Sequence, residues 1–166
     1  VVVPVGDGNI ISGVWKGFRE FERLGFIDRS PRLLAAQAEG SAAVVQAARG
    51  DGVIRPVSGE TVADSISVGL PRDGEAAVQA IRESGGFGVT VSDEAILAAI
   101  GEVARGSGVF GEPAAAAAWA GLREAVRQGL VDPAWSVVLL ITGNGLKDIA
   151  SAMKAVSEPR IISPDP

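Results

Sequence analysis

The sequence predicts an α/β fold: a parallel sheet with helices on both faces. Three observations carry this. Short apolar runs rich in β-branched residues alternate with stretches of helical period along the whole chain. Two of those runs, Val1–Val5 and Trp135–Ile141, end in turns containing two glycines each, Gly6-Asp7-Gly8-Asn9 and Thr142-Gly143-Asn144-Gly145. No internal repeat and no Pro/Ser-rich linker divides the 166 residues. A composition of 47% hydrophobic and 21% charged residues provides enough apolar surface for one packed core.

Val1–Val5 reads as a buried strand, weakened toward its end by Pro4. After the first turn, Ile10, Val14, Phe18, Phe21 and Leu24 paint one side of a helix that Gly25 ends. Leu33–Ala38 is a second strand closed by Glu39-Gly40, and Ser41–Arg49 a short helix. The region from Gly50 to Glu60 is loop, and 61–68 fits neither period. Asp73–Ser84 is a helix and Gly88–Val91 a third strand. Ser92 caps the following helix, whose first turn holds Asp93 and Glu94 and which runs to Arg105. Pro113 at a first helical position, behind Glu112, starts a helix that ends at Gln128. Trp135–Ile141 is a fourth strand, Leu146–Val156 a last helix, and 157–166 an extended tail.

Composition excludes several chemistries. With no cysteine and no histidine there is no disulfide, no Cys/His zinc site and no histidine-dependent triad, and no clustered acidic spacing suggests a metal site. A net charge of −5 without a basic run argues against nucleic acid as a partner. The apolar run Val137–Ile141 is far too short to cross a bilayer, so no membrane role is expected. No signal peptide precedes the first strand, and the cytoplasm is the expected compartment. The chain does not begin with methionine and starts inside a strand, which suggests a piece of a longer protein.

The two glycine turns are the chemical candidates. Ligands of open parallel sheets bind beyond the carboxyl ends of strands. N–H groups at a helix start lack partners and carry partial positive charge, which suits a phosphate. Gly6, Asp7, Gly8, Asn9 and Ile10 occupy that position; the plain alternative is an ordinary strand–helix turn. A dinucleotide fingerprint would need a third glycine where Ile11 stands, and a Walker motif would need Gly-Lys-Ser/Thr. A small phosphorylated cofactor fits better. Thr142 offers a hydroxyl to a ligand or caps the next helix; Glu112 faces a ligand or caps its own helix. Asn9, Ser65 and Ser67 are weaker candidates. Phe18 reads as core, and Trp15 as core or interface.

GDGNIISGVWKGF, AEGSAAVVQA, SISVGLP, EPAAAAAWAGL and VVLLITGNGLKD, in that order, resemble the C-terminal half of threonine synthase. The resemblance covers residues 1 to about 155 and implies a fold-type II enzyme of pyridoxal 5'-phosphate, a lyase of threonine biosynthesis that turns O-phosphohomoserine into threonine and phosphate. It implies residues 1–156 as part of the cofactor-binding large domain. Gly6, Asp7, Gly8, Asn9 and Ile10 would cradle the cofactor phosphate, Thr142 would meet the pyridine nitrogen, and Glu112 would lie near the ring. The turn is one residue shorter than the family's Gly-Asn-x-Gly-Asn form, and Asn144 replaces a frequent histidine.

The family's Schiff-base lysine sits in a Ser-x-Lys-Asp-type motif of the N-terminal half, as do the asparagine for the ring hydroxyl and the small substrate domain. This chain's lysines, Lys16, Lys147 and Lys154, match no such motif. The expectation is a chain that holds cofactor contacts but no catalytic nucleophile, completed by the N-terminal half of the same enzyme. An open sheet edge further implies self-association, as a homodimer, or a bound partner. Rival readings are a threonine or serine dehydratase-like lyase, a non-catalytic module binding a phosphorylated ligand, and a nucleotide-binding α/β domain.

Overall fold

The computed structural model describes residues 1–156 and 161–162. In chain order the elements are β1 (Val2–Pro4), α1 (Asn9–Arg23), β2 (Leu34–Ala38), α2 (Ala43–Arg49), α3 (Gly74–Glu83), β3 (Phe87–Val91), α4 (Asp93–Ser107), α5 (Pro113–Arg127) and α6 (Ile149–Lys154). Single 3₁₀ turns occupy Glu39–Ser41, Asp64–Ile66 and Gly145–Lys147. The three strands form a parallel sheet in the order β1-β2-β3, with Val2 opposite Leu34 and Ala35 opposite Gly88.

Each strand buries both faces, so its side chains divide between two helical layers. Val3 and Ala35 join Ile11, Val44, Val45, Val78 and Ile81 on the side of α1, α2 and α3. Val2, Leu34, Ala36 and Val89 join Ala118 and Ala125 of α5 on the other. The alanine run is explained here. Helix α5 packs on all three strands and, behind them, on α4, and Ala114 to Ala118 are buried all round. Small side chains let it approach closely: a β-carbon on Gly121 would stand 2.5 Å from that of Ala36. The α/β class with helices on both faces is therefore as expected.

The expected fourth strand is a correction. Residues 135–141 lie alongside β1 but make a single bridge, Val2 to Leu139. Two hydrogen bonds hold it: Val2 N–H donates to Val138 O at 2.8 Å and Leu140 N–H to Val2 O at 3.1 Å. Strand β1 has only three residues to offer, and Val138 is more than half exposed. An apolar run reads as a buried strand only where neighbours cover both sides, and among the described residues this one pairs with β1 alone.

Smaller differences have local causes. The last helix begins after a 3₁₀ turn, at Ile149, because Asp148 caps it through Ser151 N–H at 3.0 Å. Helix α4 ends at Ser107, with Gly108 rather than Gly106 in the left-handed cap. Region 61–68 is loop around its 3₁₀ turn. On α1 the buried residue is Ile11, with Val14 and Trp15 packed on the core. Ile10, Phe21 and Leu24 are exposed, and Phe21 meets Phe26 edge-on at 5.7 Å. Phe18 is half-buried and joins none of the core clusters. The extended tail expected over 157–166 lies outside the described residues except 161–162, which are exposed and without regular structure.

Candidate functional site

The chain leaves β1 through Val5, whose N–H still donates to Ala36 O at 2.9 Å. Buried Gln37 fixes this exit: its amide donates to Val5 O at 3.2 Å and accepts from Val45 N–H at 2.8 Å. The chain then turns at Gly6–Gly8 and enters α1. Gly8 is the N-cap at φ +99°, a left-handed conformation that glycine adopts without strain. Its missing β-carbon matters too, since one would stand 2.6 Å from Asp73 O. At Gly6 a β-carbon would press on Ile66 Cα at 3.0 Å and Ser65 O at 3.3 Å.

Segment 72–73 clamps the turn from outside. Asp73 N–H donates to Asp7 O at 2.9 Å, and Arg72 N–H to Asp7 Oδ1 at 3.0 Å. Ser12 Oγ hydrogen-bonds Asp73 Oδ2. One oxygen of the Asp7 carboxylate is thus tied to the backbone of another loop. Among the described residues, no protein acceptor is found for the N–H groups of residues 6–11, and no side chain caps the helix. Consecutive free donors at a helix start are the feature an anion site uses.

The opposite wall comes from the chain's last third. Gly111 and Asn144 form an antiparallel bridge, Glu112 N–H donates to Gly143 O at 3.0 Å, and Gly145 N–H donates to Phe110 O at 2.9 Å. This pairing sets Thr142 beside the start of α5. Glu112 is the N-cap of α5, yet its carboxylate makes no cap bond. It is buried, 5% exposed, and accepts from Lys147 Nζ at 3.1 Å and Ser65 Oγ at 3.3 Å. Thr142 caps no helix either: Asn144 and Asp148 do that work. Ser41, fully buried, donates to Ile66 O at 2.7 Å and accepts from Val68 N–H at 3.0 Å. That holds the Ser65–Ile66 wall in place, while Ser67 turns to Gly59 O.

These parts enclose one cavity of roughly 300 Å³. Gly6, Asp7, Gly8, Asn9, Ile10, Glu112 and Thr142, the seven residues singled out in the sequence, all line it, with Ser65 and Lys147. Sequence reasoning misses Lys147 because its motif is not that of a cofactor lysine; its place in Thr-Gly-Asn-Gly-Leu-Lys, five residues beyond Thr142, is the available signal. Lys16 is exposed on α1 and paired with Glu20. The free donors and the glycines fit the phosphate of a small cofactor, with the Asp7 carboxylate held by Arg72 N–H. Among the described residues no group of acids could hold a metal, and no helix is long and apolar enough to cross a membrane.

Comparison with known proteins identifies the family. Residues 1–143 match the family model "Pyridoxal-phosphate dependent enzyme". The chain is 41% identical over 161 residues to threonine synthase of Methanocaldococcus jannaschii, covering 96% of this chain and 40% of that protein. It is 43% identical over 164 residues to threonine synthase of Mycobacterium bovis, covering 99% and 44%. The chain thus spans about two fifths of the length of these relatives.

Among solved structures, threonine synthase of Escherichia coli superposes with a TM-score of 0.69 at 22% identity, over 98% of this chain and 36% of that one. The processed form of threonine deaminase isoform 2 of Solanum lycopersicum does so with 0.69 at 21%, over 93% and 42%. At such identities these superpositions speak for the fold, that of fold-type II pyridoxal-phosphate enzymes. A parallel sheet ending in a glycine turn of free N–H donors, and a family match over most of its length, place this chain in the pyridoxal-phosphate dependent enzyme family.

Proposed function

We propose that this chain is the C-terminal portion of a threonine synthase, in which residues 1–156 belong to the large cofactor-binding domain. The N–H groups of Gly6, Asp7, Gly8, Asn9 and Ile10 hold the phosphate of pyridoxal 5'-phosphate. The Thr142 hydroxyl faces the pyridine nitrogen, and Glu112 lies beside the ring. The observation that carries the reading is the convergence of six unpaired backbone donors and Thr142 on one cavity. When bound, the cofactor supplies the electron sink for chemistry at the substrate's carbons; this chain's residues bind, orient and screen it from water.

The amine that tethers the cofactor and the substrate-binding small domain come from an N-terminal portion of the same enzyme. Lys16 is paired on the outer side of α1, and the Lys147 ammonium is engaged by Glu112. O-phosphohomoserine as substrate, a cytoplasmic setting and a homodimer follow the reading of the whole enzyme. Support for threonine synthase over a threonine or serine dehydratase is the 41–43% identity to proteins of the first name.

Two experiments test this. The 166-residue chain is titrated with pyridoxal phosphate and with pyridoxal; the phosphate form binds at least about tenfold more tightly, and equal affinities refute the phosphate cup. The complete protein is then loaded, reduced with borohydride and digested. The label is expected outside residues 1–166, and label on Lys16, Lys147 or Lys154 refutes the division of labour. Phosphate release from O-phosphohomoserine, against deamination of threonine by the same preparation, separates synthase from dehydratase. Light scattering of the complete protein tests the dimer.

A further inference from the structure

We propose that Lys147 is a positioning residue for Glu112, and that the pair neutralises the cavity wall across from the N–H groups of residues 6–11. The proposal rests on the reading of that turn as a phosphate cup.

The argument begins with burial. A carboxylate at 5% exposure requires compensation. Helix α5 offers only the positive end of its dipole, for Glu112 makes no cap bond with the helix it begins. Among the described residues its side-chain partners are Lys147 Nζ, 3.1 Å from each oxygen, and Ser65 Oγ. Space for this orientation is kept by Gly143, whose β-carbon would stand 1.9 Å from Glu112 Oε1. The Gly111–Asn144 bridge sets the strip from which Lys147 reaches back. The side chains are unequally placed: Lys147 is 60% exposed and Glu112 only 7%. The lysine therefore retains much of its hydration, whereas the acid without it is a lone buried charge.

The consequence concerns anions. In a cavity of roughly 300 Å³ any two charged groups on its walls stand within a Debye length of each other. An unpaired Glu112 would oppose an anion at the cup. Paired with Lys147 it leaves the wall near neutral and remains available as an acceptor beside the ring.

The test uses inorganic phosphate and pyridoxal phosphate as probes, calorimetry as readout, and the complete protein freed of cofactor, wild type beside K147M, K147R and E112Q/K147M. K147M is expected to weaken both probes about tenfold. K147R, which keeps the cation, should recover most of the loss, and E112Q/K147M should recover it by removing the stranded charge. A K147M loss that E112Q does not repair means that Lys147 contacts the anion itself and overturns the proposal, as does an unchanged K147M.

If the wild type binds neither probe, the phosphate cup fails and the pair is judged separately. A urea double-mutant cycle over positions 112 and 147 reads their coupling. K147M costing more stability in the wild-type background than in the E112Q background supports positioning, and additivity overturns it.

Discussion

Gly143 lies so close to Glu112 that a β-carbon on residue 143 would stand 1.9 Å from Oε1 of the carboxylate. No flexible neighbour can absorb that overlap except Glu112 itself, which would have to leave Ser65 and Lys147. Gly143→Ala is therefore expected to cost about 1–3 kcal/mol by urea unfolding. In a Glu112→Ala background the same substitution should cost much less, since the side chain it displaces is gone.

Gly8→Ala should be more damaging to the phosphate cup than any change of side chain there. Position 8 is left-handed at φ +99°, and the added methyl would meet Asp73 O at 2.6 Å. Strain of about 1–3 kcal/mol is expected, together with loss of the preference for pyridoxal phosphate over pyridoxal. Thermal unfolding reads the first and fluorescence titration the second.

Gly121→Ala tests the approach of α5 to the sheet. The new β-carbon would lie 2.5 Å from that of Ala36, a side chain with no rotamer by which to yield, and 3.4 Å from a Val89 methyl. Destabilisation of about 1–3 kcal/mol is expected. Ala36→Gly in the same chain should return part of it, which a chemical denaturation series would show.

Acid should erase one surface contribution. Arg127 and Gln128 donate to the Glu124 carboxylate at 2.6–2.7 Å and hold its pKa at about 2. In the unfolded chain a glutamate titrates near ~4.3. The interaction therefore stabilises the fold fully above that value and is lost as pH falls through about 2. Arg127→Ala should melt slightly below wild type at neutral pH, with the gap closing between pH ~4 and ~2 and shrinking in high salt.

What the amino-acid order determined by itself is the set of parts. Alternation of β-branched runs and helical periods specifies a parallel α/β sheet, and glycine turns at strand ends mark where ligand groups gather, because both are consequences of local backbone geometry. Seven residues from positions 6 to 142 could be named before the fold was known, from those turns and from the family resemblance they carry. Sequence could not tell that Trp135–Ile141 makes one bridge instead of a strand, since pairing depends on how much of β1 is available beside it. It could not assign the buried face of α1, where Ile11 rather than Ile10 meets the core. Nor could it pair Lys147 with Glu112, 35 residues away. That contact exists because two loops zip together at Gly111 and Asn144, and the energy of a charge depends on what the fold brings within a few ångströms of it.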